Sequence, residues 1–308
     1  MIRRALTLAA AAAFLANAGQ AIAQKVDDSG PHPGAGLEVF ASTDADKTEV
    51  IKIMARGLLD YEGPEKYRGV AFERAWFRPL GQDTREADRA YLDLADRLGD
   101  QRWKLRIGTD GHTVLGSASI RKDDWSHEFF VEREIVETPV GLKRRIYYTF
   151  AGASFDIPVD RRNVLTAMAG IQDFSGDNVR FHLRANYTHV LQSEWGLSVQ
   201  VHGRYFHSTE PGEFDYYSPR NHVQLLPLIQ VRRFDDNGWQ YRLRAAYGME
   251  RDTNSGWHDS RYANLLISSP ASANGWEMRV EAIYSSSSPT SGPDYYYLMG
   301  NLGIAKSF

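Results

Sequence analysis

The chain of 308 residues contains no cysteine, so neither a disulfide nor a thiolate-bound metal holds it together. It also lacks a long hydrophobic run. Beyond residue 23 nothing approaches the ~20 apolar residues that a membrane-spanning helix needs, and mean hydropathy is −0.45. An excess of positive charge is missing too: 36 Lys and Arg against 39 Asp and Glu leave a formal charge of −3, which excludes the basic footprint of a nucleic-acid binder. No phosphate-binding loop, metal-ligand cluster or His-x-x-x-His site is present, so no cofactor and no metal are expected. What remains is 43% hydrophobic and 12% aromatic, too apolar for a disordered chain and without the glycine period of a collagen.

The first 23 residues differ from the rest. Arg3 and Arg4 precede an apolar stretch, Ala5 to Ala16, which is too short to span a bilayer, and Ala21-Ile22-Ala23 is a small-residue cleavage pattern. Residues 1–23 are therefore read as a secretory signal, cut between Ala23 and Gln24. Cleavage removes two arginines and no acids, taking the charge to −5 and leaving 285 residues of the 308. Residues 24–35, broken by Gly30, Pro31, Pro33 and Gly34, read as a flexible periplasmic leader.

From Gly36 to Phe308 the dominant period is two. Trp239, Tyr241, Leu243, Ala245, Tyr247 and Met249 alternate with Gln240, Arg242, Arg244 and Glu250, and successive residues of a strand point to opposite faces. The same pattern covers Val179 to Tyr187, Trp195 to Tyr205, Trp276 to Tyr284 and Trp103 to Ile107. The runs are about 9 to 13 residues long, where ordinary strands are nearer 5 to 6, and aromatics cluster at their ends. Lipid demands that every backbone group be paired and no sheet edge be left open. Long strands with one apolar and one charged face then predict an all-β, antiparallel transmembrane β-barrel of about 16 strands (14 to 18).

The expected strands begin at Gly36, Glu49, Tyr67, Ala87, Gln101, His112, Trp125, Val140, Arg162, Asn178, Trp195, Asn221, Gly238, Trp257, Gly275 and Tyr295, about 18 residues apart. In Ala87 to Leu98 the apolar residues also fall at helical spacing, so strand and helix both remain open there. Tight turns are expected at Thr109-Asp110-Gly111, Thr138-Pro139-Val140-Gly141 and Asp235 to Gly238, and longer external loops at His207 to Arg220 and Ser285 to Asp294.

The last strand carries Asn301, Gly303 and a terminal Phe308, which resemble the assembly signal of bacterial outer-membrane barrels, with Lys306 where that signal usually has a hydrophobic residue. A wider resemblance rests on Phe129 to Glu137, Asp160-Arg161-Arg162-Asn163, Asp173 to Arg180, and Tyr216-Tyr217-Ser218-Pro219-Arg220 with Pro227. These segments look like the carboxy-terminal barrels of exopolysaccharide exporters, the poly-N-acetylglucosamine and cellulose export subunits and related surface barrels. The resemblance implies a pore for a polysaccharide chain in the outer membrane of a Gram-negative bacterium. It further implies assembly into outer-membrane lipid by the barrel assembly machinery and cooperation with an inner-membrane glycan synthase. Those exporters carry a long periplasmic helical-repeat region that is not matched here, so a separate periplasmic scaffold is expected.

The polar parity supplies the candidate glycan contacts: Arg180, Arg184, Arg204, Arg242 and Arg244 as forked donors for carboxylates and vicinal hydroxyls, with Glu132 and Glu281 as their acidic counterparts. Mutual pairing of these charges inside a polar lumen is the competing reading. Ser126-His127 and Trp257 to Ser260 set histidine beside serine or aspartate, but strand neighbours point apart, so no catalytic set converges. Two alternatives to an export pore stay open: a receptor or structural barrel with an occluded lumen, and, further off, a general porin or a lipid- or glycan-modifying surface enzyme.

Overall fold

The computed structural model describes residues 32–270, 275–288 and 295–308. The expected signal peptide, with Ala21, Ala23 and Gln24, lies outside them, as does most of the leader. Sixteen strands dominate: β1 (Gly34–Asp44), β2 (Glu49–Gly63), β3 (Lys66–Arg78), β4 (Arg85–Leu98), β5 (Gln101–Thr109), β6 (Val114–Lys122), β7 (His127–Ile135) and β8 (Tyr147–Pro158). They continue as β9 (Asn163–Phe174), β10 (Val179–Gln192), β11 (Leu197–Ser208), β12 (Asn221–Phe234), β13 (Gln240–Asp252), β14 (His258–Ser268), β15 (Trp276–Ser288) and β16 (Tyr295–Ser307). Each pairs antiparallel with its chain neighbours, and β1 closes on β16 from Gly34↔Ser307 to Asp44↔Tyr297, giving one closed barrel.

The alternation read from the sequence decides which face is which. Around the ring, register pairs Glu38 with Met54, Met54 with Glu73, Glu73 with Arg89 and Asp93 with Arg106, and ends by pairing Glu281 with Asn301 and Gly303 with Glu38. One parity therefore runs unbroken around the inside. The other carries Leu37, Phe72, Leu92, Ile107, Phe129, Ile171, Leu183, Ile229, Leu243 and Leu298, all exposed on the outer surface. Such a band is stable only against lipid, and its backbone is already paired, so the fold is that of an outer-membrane β-barrel. A register shift in β2 between Leu58 and Asp60 sets Tyr61 opposite Tyr67 on the inner face, and a second shift follows between Tyr61 and Gly63.

Both termini of the described barrel lie at one end, where connections are short, such as 64–65 and 99–100. The two longest connections, 136–146 and 209–220, lie at the opposite loop end. Aromatic side chains mark both rims: Trp195, Tyr241, Trp276 and Phe308 at the short-turn end, Trp257 and Tyr296 at the loop end.

One open reading is resolved and two expectations change. Ala87 to Leu98 is strand throughout, within β4. The expected strand start at Val140 and the tight turn around it give way to a short helix, α1 (Pro139–Arg144), and β8 begins at Tyr147. Thr138 caps α1 by accepting from the Gly141 amide at 3.1 Å, and Pro139 fills the first helical position, where its missing N–H costs nothing. The segment from Ser285 belongs to β15 as far as Ser288, and residues 289–294 lie outside those described.

Candidate functional site: the lumen and its mouth

Inward parity places all seven candidate glycan contacts, Arg180, Arg184, Arg204, Arg242, Arg244, Glu132 and Glu281, in the lumen, but in different company. The wall formed by β1 to β7 is electrically compensated. Arg56 pairs with Glu38 at 2.6 Å and Asp93 at 3.5 Å, and Arg106 with Asp93 at 2.7 Å. Arg89, 2% exposed, bridges Glu73 at 2.9 Å and Glu134 at 3.3 Å. At the short-turn end Glu65 gathers Arg121 at 2.8 Å, Lys104 at 3.2 Å and Arg102 at 3.9 Å. Burial raises the Glu65 carboxyl, but the hydrogen bonds and charges of Arg121 and Lys104 outweigh it and hold the group below its ordinary value.

The wall of β10 and β11 is built otherwise. Arg184 and Arg204 face each other directly across the strand pair, and among the described residues neither has an ion pair or a hydrogen bond. The acids whose charge reaches them are Glu132 for Arg184 and Glu250 for Arg204. His182, one step along β10, feels the charges of Arg180, Arg184 and Arg204 together.

Arg180 has a different task. Its Nε donates to Ser208 Oγ at 3.2 Å and its NH2 group to the Tyr217 carbonyl at 2.6 Å, while the guanidinium lies 4.6 Å from the Phe206 ring and 5.1 Å from Phe174. It anchors a loop. Arg242 reaches Asn264 at 3.2 Å and Glu281 at 3.5 Å, and Glu281 also receives Arg279 at 3.0 Å. Arg244 donates to Gln230 at 2.7 Å. The five arginines thus divide into a loop anchor, an open pair on β10 and β11, and a hydrogen-bonded pair on β13. Glu132 accepts from Tyr148 at 3.4 Å.

Two loops fold over the mouth. Leu142 of α1 packs with Val50, Ala75 and Phe77, residues of the inner faces of β2 and β3, so this loop reaches from β7 across to another part of the wall. Lys52 and Glu137 form an ion pair beneath it. From the 209–220 loop, Tyr216 stacks on Phe174 with centroids 4.3 Å apart and planes 9° off parallel. Burial pushes the Tyr216 hydroxyl up to about 12; Asn178, donating to it at 2.9 Å, works against that shift, and Glu213 works with it. The Glu213 carboxylate accepts from the Asp177 amide at 2.6 Å and the Asn178 amide at 3.2 Å, a seat that requires Gly176, since a Cβ there would stand 1.9 Å from Glu213 Oε1. Asp215 ties the two loops together, accepting from Thr138 Oγ1 at 2.5 Å and from the Val140 amide at 2.7 Å at the start of α1.

Several of these groups escape a sequence reading. Asp93 and Arg89 stand in the segment whose strand character is open in the sequence, and Asp215 and Leu142 act through partners 75 and 77 residues distant or across the barrel. The segments Asp173 to Arg180 and Tyr216 to Arg220, which carried the family resemblance, meet at the mouth through Phe174, Asn178, Arg180 and Tyr216. Asp160 of the third segment closes the short turn before β9, accepting from the Arg162 amide at 2.7 Å and the Asn163 amide at 3.0 Å, which holds its carboxyl low. At the seam, Asn301 donates to Glu38 at 2.9 Å, Gly303 sits opposite Glu38, and the Phe308 amide donates to the Pro33 carbonyl at 2.8 Å. Lys306 turns outward and lies 4.9 Å from the Trp276 ring and 5.8 Å from that of Phe308. Among the described residues no group of His, Asp or Glu is arranged to hold a metal ion.

No family model and no curated protein matches the sequence. Solved structures do. A bacterial polysaccharide outer membrane secretin is similar at 14% identity with a TM-score of 0.64, over 89% of this chain and 98% of that one. Pseudomonas aeruginosa OpdQ aligns at 12% identity with a TM-score of 0.44, over 92% and 100%. The likeness to the secretin, which spans nearly the whole of both chains, is one of fold: the chain has the architecture of outer-membrane barrels.

Proposed function

We propose that this protein is an outer-membrane pore through which a polysaccharide is exported from a Gram-negative periplasm. The observation that carries the reading is a closed sixteen-strand barrel whose inner parity bears rows of arginines and carboxylates, a strand number at which an aqueous channel remains between the walls. The resemblance of the mouth segments to exopolysaccharide exporters supports a glycan as cargo, and the likeness in fold to a polysaccharide secretin is in keeping with it. The outer-membrane location follows from the lipid-facing band and from the seam residues Asn301, Gly303 and Phe308, which the assembly machinery would read. A separate periplasmic scaffold and an inner-membrane synthase complete the proposed pathway. Transport, not catalysis, is the activity proposed.

One feature favours a second reading. The loops at 136–146 and 209–220 fold over the mouth and are tied to each other through Asp215, as an occluded receptor would require. Conductance of the purified barrel in a planar bilayer, with oligosaccharides added on either side, separates the two. Steady current interrupted by glycan supports export; a sealed barrel that still binds glycan or protein at the mouth supports the receptor.

A further inference from the structure

The two halves of the lumen treat the same side chain in opposite ways. On β1 to β7, Arg56, Arg89, Arg106 and Arg121 each stand within 4.0 Å of a carboxylate. On β10 and β11, Arg184 and Arg204 oppose each other in register with no carboxylate of the described residues at that distance. Like charges directly across a strand pair are destabilising, and barrels have an easy remedy, which the other wall uses. The Nε of Arg204 is buried without a hydrogen-bond partner, as are those of Arg56, Arg89 and Arg106; what sets the β10–β11 pair apart is that, among the described residues, the other donors of Arg204 and all those of the lumen-exposed Arg184 have no partner either.

We propose that Arg184 and Arg204 form an anion-binding rung, and that the exported polymer is an acidic polysaccharide carrying carboxylates along its sugars. The inference rests on the pore reading above and adds the charge of the cargo. Guanidinium presents a planar fork of donors that matches a carboxylate two bonds at a time. Two such forks on adjacent strands bind one acidic sugar and hand it on, while a neutral or cationic chain gains nothing from them. Arg180 lies next to the rung but is committed to the Tyr217 carbonyl, so it bounds the site at the mouth.

The test uses the full barrel, refolded in detergent and in planar bilayers, with galacturonic acid oligomers and maltodextrins of equal length as probes. The expected result is at least tenfold tighter binding of the acidic oligomer at low salt, lost in the double variant Arg184→Gln/Arg204→Gln. The pair Arg102→Gln/Arg121→Gln removes the same charge from the compensated wall and keeps the preference. Because glutamine relieves like-charge repulsion, the first variant also unfolds at a higher urea concentration than wild type, which shows that lost binding is not lost folding. Equal binding of the two probes to wild type overturns the proposal. So does a preference that survives in Arg184→Gln/Arg204→Gln or disappears equally in the control pair. Acid-selective binding by a barrel that passes no current, with or without oligomers, leaves the rung standing and overturns the pore.

Discussion

Leu243 and Arg242 are adjacent in the chain and opposite in environment. Leu243 is 55% exposed on the lipid face, whereas Arg242 points inward to Asn264 and Glu281. Leu243→Arg puts a charge into the bilayer, at a cost of about 2–4 kcal/mol near the midplane. Arg242→Ser costs far less, because Glu281 keeps Arg279 at 3.0 Å. Urea unfolding in vesicles checks the contrast, and equal losses would mean that the parity is wrong. Arg89 supplies a second residue-scale expectation: its removal as Arg89→Ala strands Glu73, itself 8% exposed, and breaking a buried pair from one side costs about 3–5 kcal/mol. Glu73→Gln in the same assay costs less, since Arg89 retains Glu134. The parity behind both predictions is legible in the sequence from alternation alone. That Arg184 meets Arg204, and that Arg180 is taken by a loop carbonyl, is not legible, because register and loop path join residues that no local pattern relates.

At the scale of the element, α1 is the one helix among the described residues to break the β rhythm, and its docking is held by Asp215. Asp215→Ala removes two hydrogen bonds to an exposed carboxylate, worth about 1 kcal/mol together after solvent screening, or a roughly five-fold shift towards the undocked loop. Single-channel recording should show longer and more frequent open periods. The stack of Tyr216 on Phe174 gives the pH dependence. With its hydroxyl raised from 10.0 to about 12, Tyr216 binds its proton more tightly when docked. Its contribution is therefore complete below pH 10 and lost as the pH rises through 12, so the mouth loosens in that window. Open fraction measured from pH 9 to 12 checks this; a flat profile, or the same profile in Tyr216→Phe, sinks it. Strand positions were legible to within three residues nearly everywhere, since two-residue alternation survives any tertiary context. In the sequence residues 138–141 read as a turn because Pro139 and Gly141 are turn formers; Thr138 before Pro139 is also a helix start, and only docking against β2 and β3 decides between them.

Across the whole molecule the barrel is completed at a single seam, where β1 meets β16 and the Phe308 amide reaches Pro33. Deleting Phe308 removes that bond and the rim aromatic beside Lys306, and is expected to lower the yield of heat-modifiable barrel in the outer membrane. Undiminished yield would mean that closure is directed from elsewhere. The chain order also sorts the wall: the ion-paired sector is made by the first seven strands and the open arginines by β10 and β11. A polymer attracted to one sector only does not thread the barrel along its axis as a rope threads a ring. On the proposed reading it is held one acidic sugar at a time at a single rung, so drag would follow how many of its sugars carry a carboxylate and hardly at all the bulk of the chain. Side groups that face away from β10 and β11 would then travel free, and a branched acidic polymer would pass the proposed pore as readily as a linear one provided that its branches leave the rung clear.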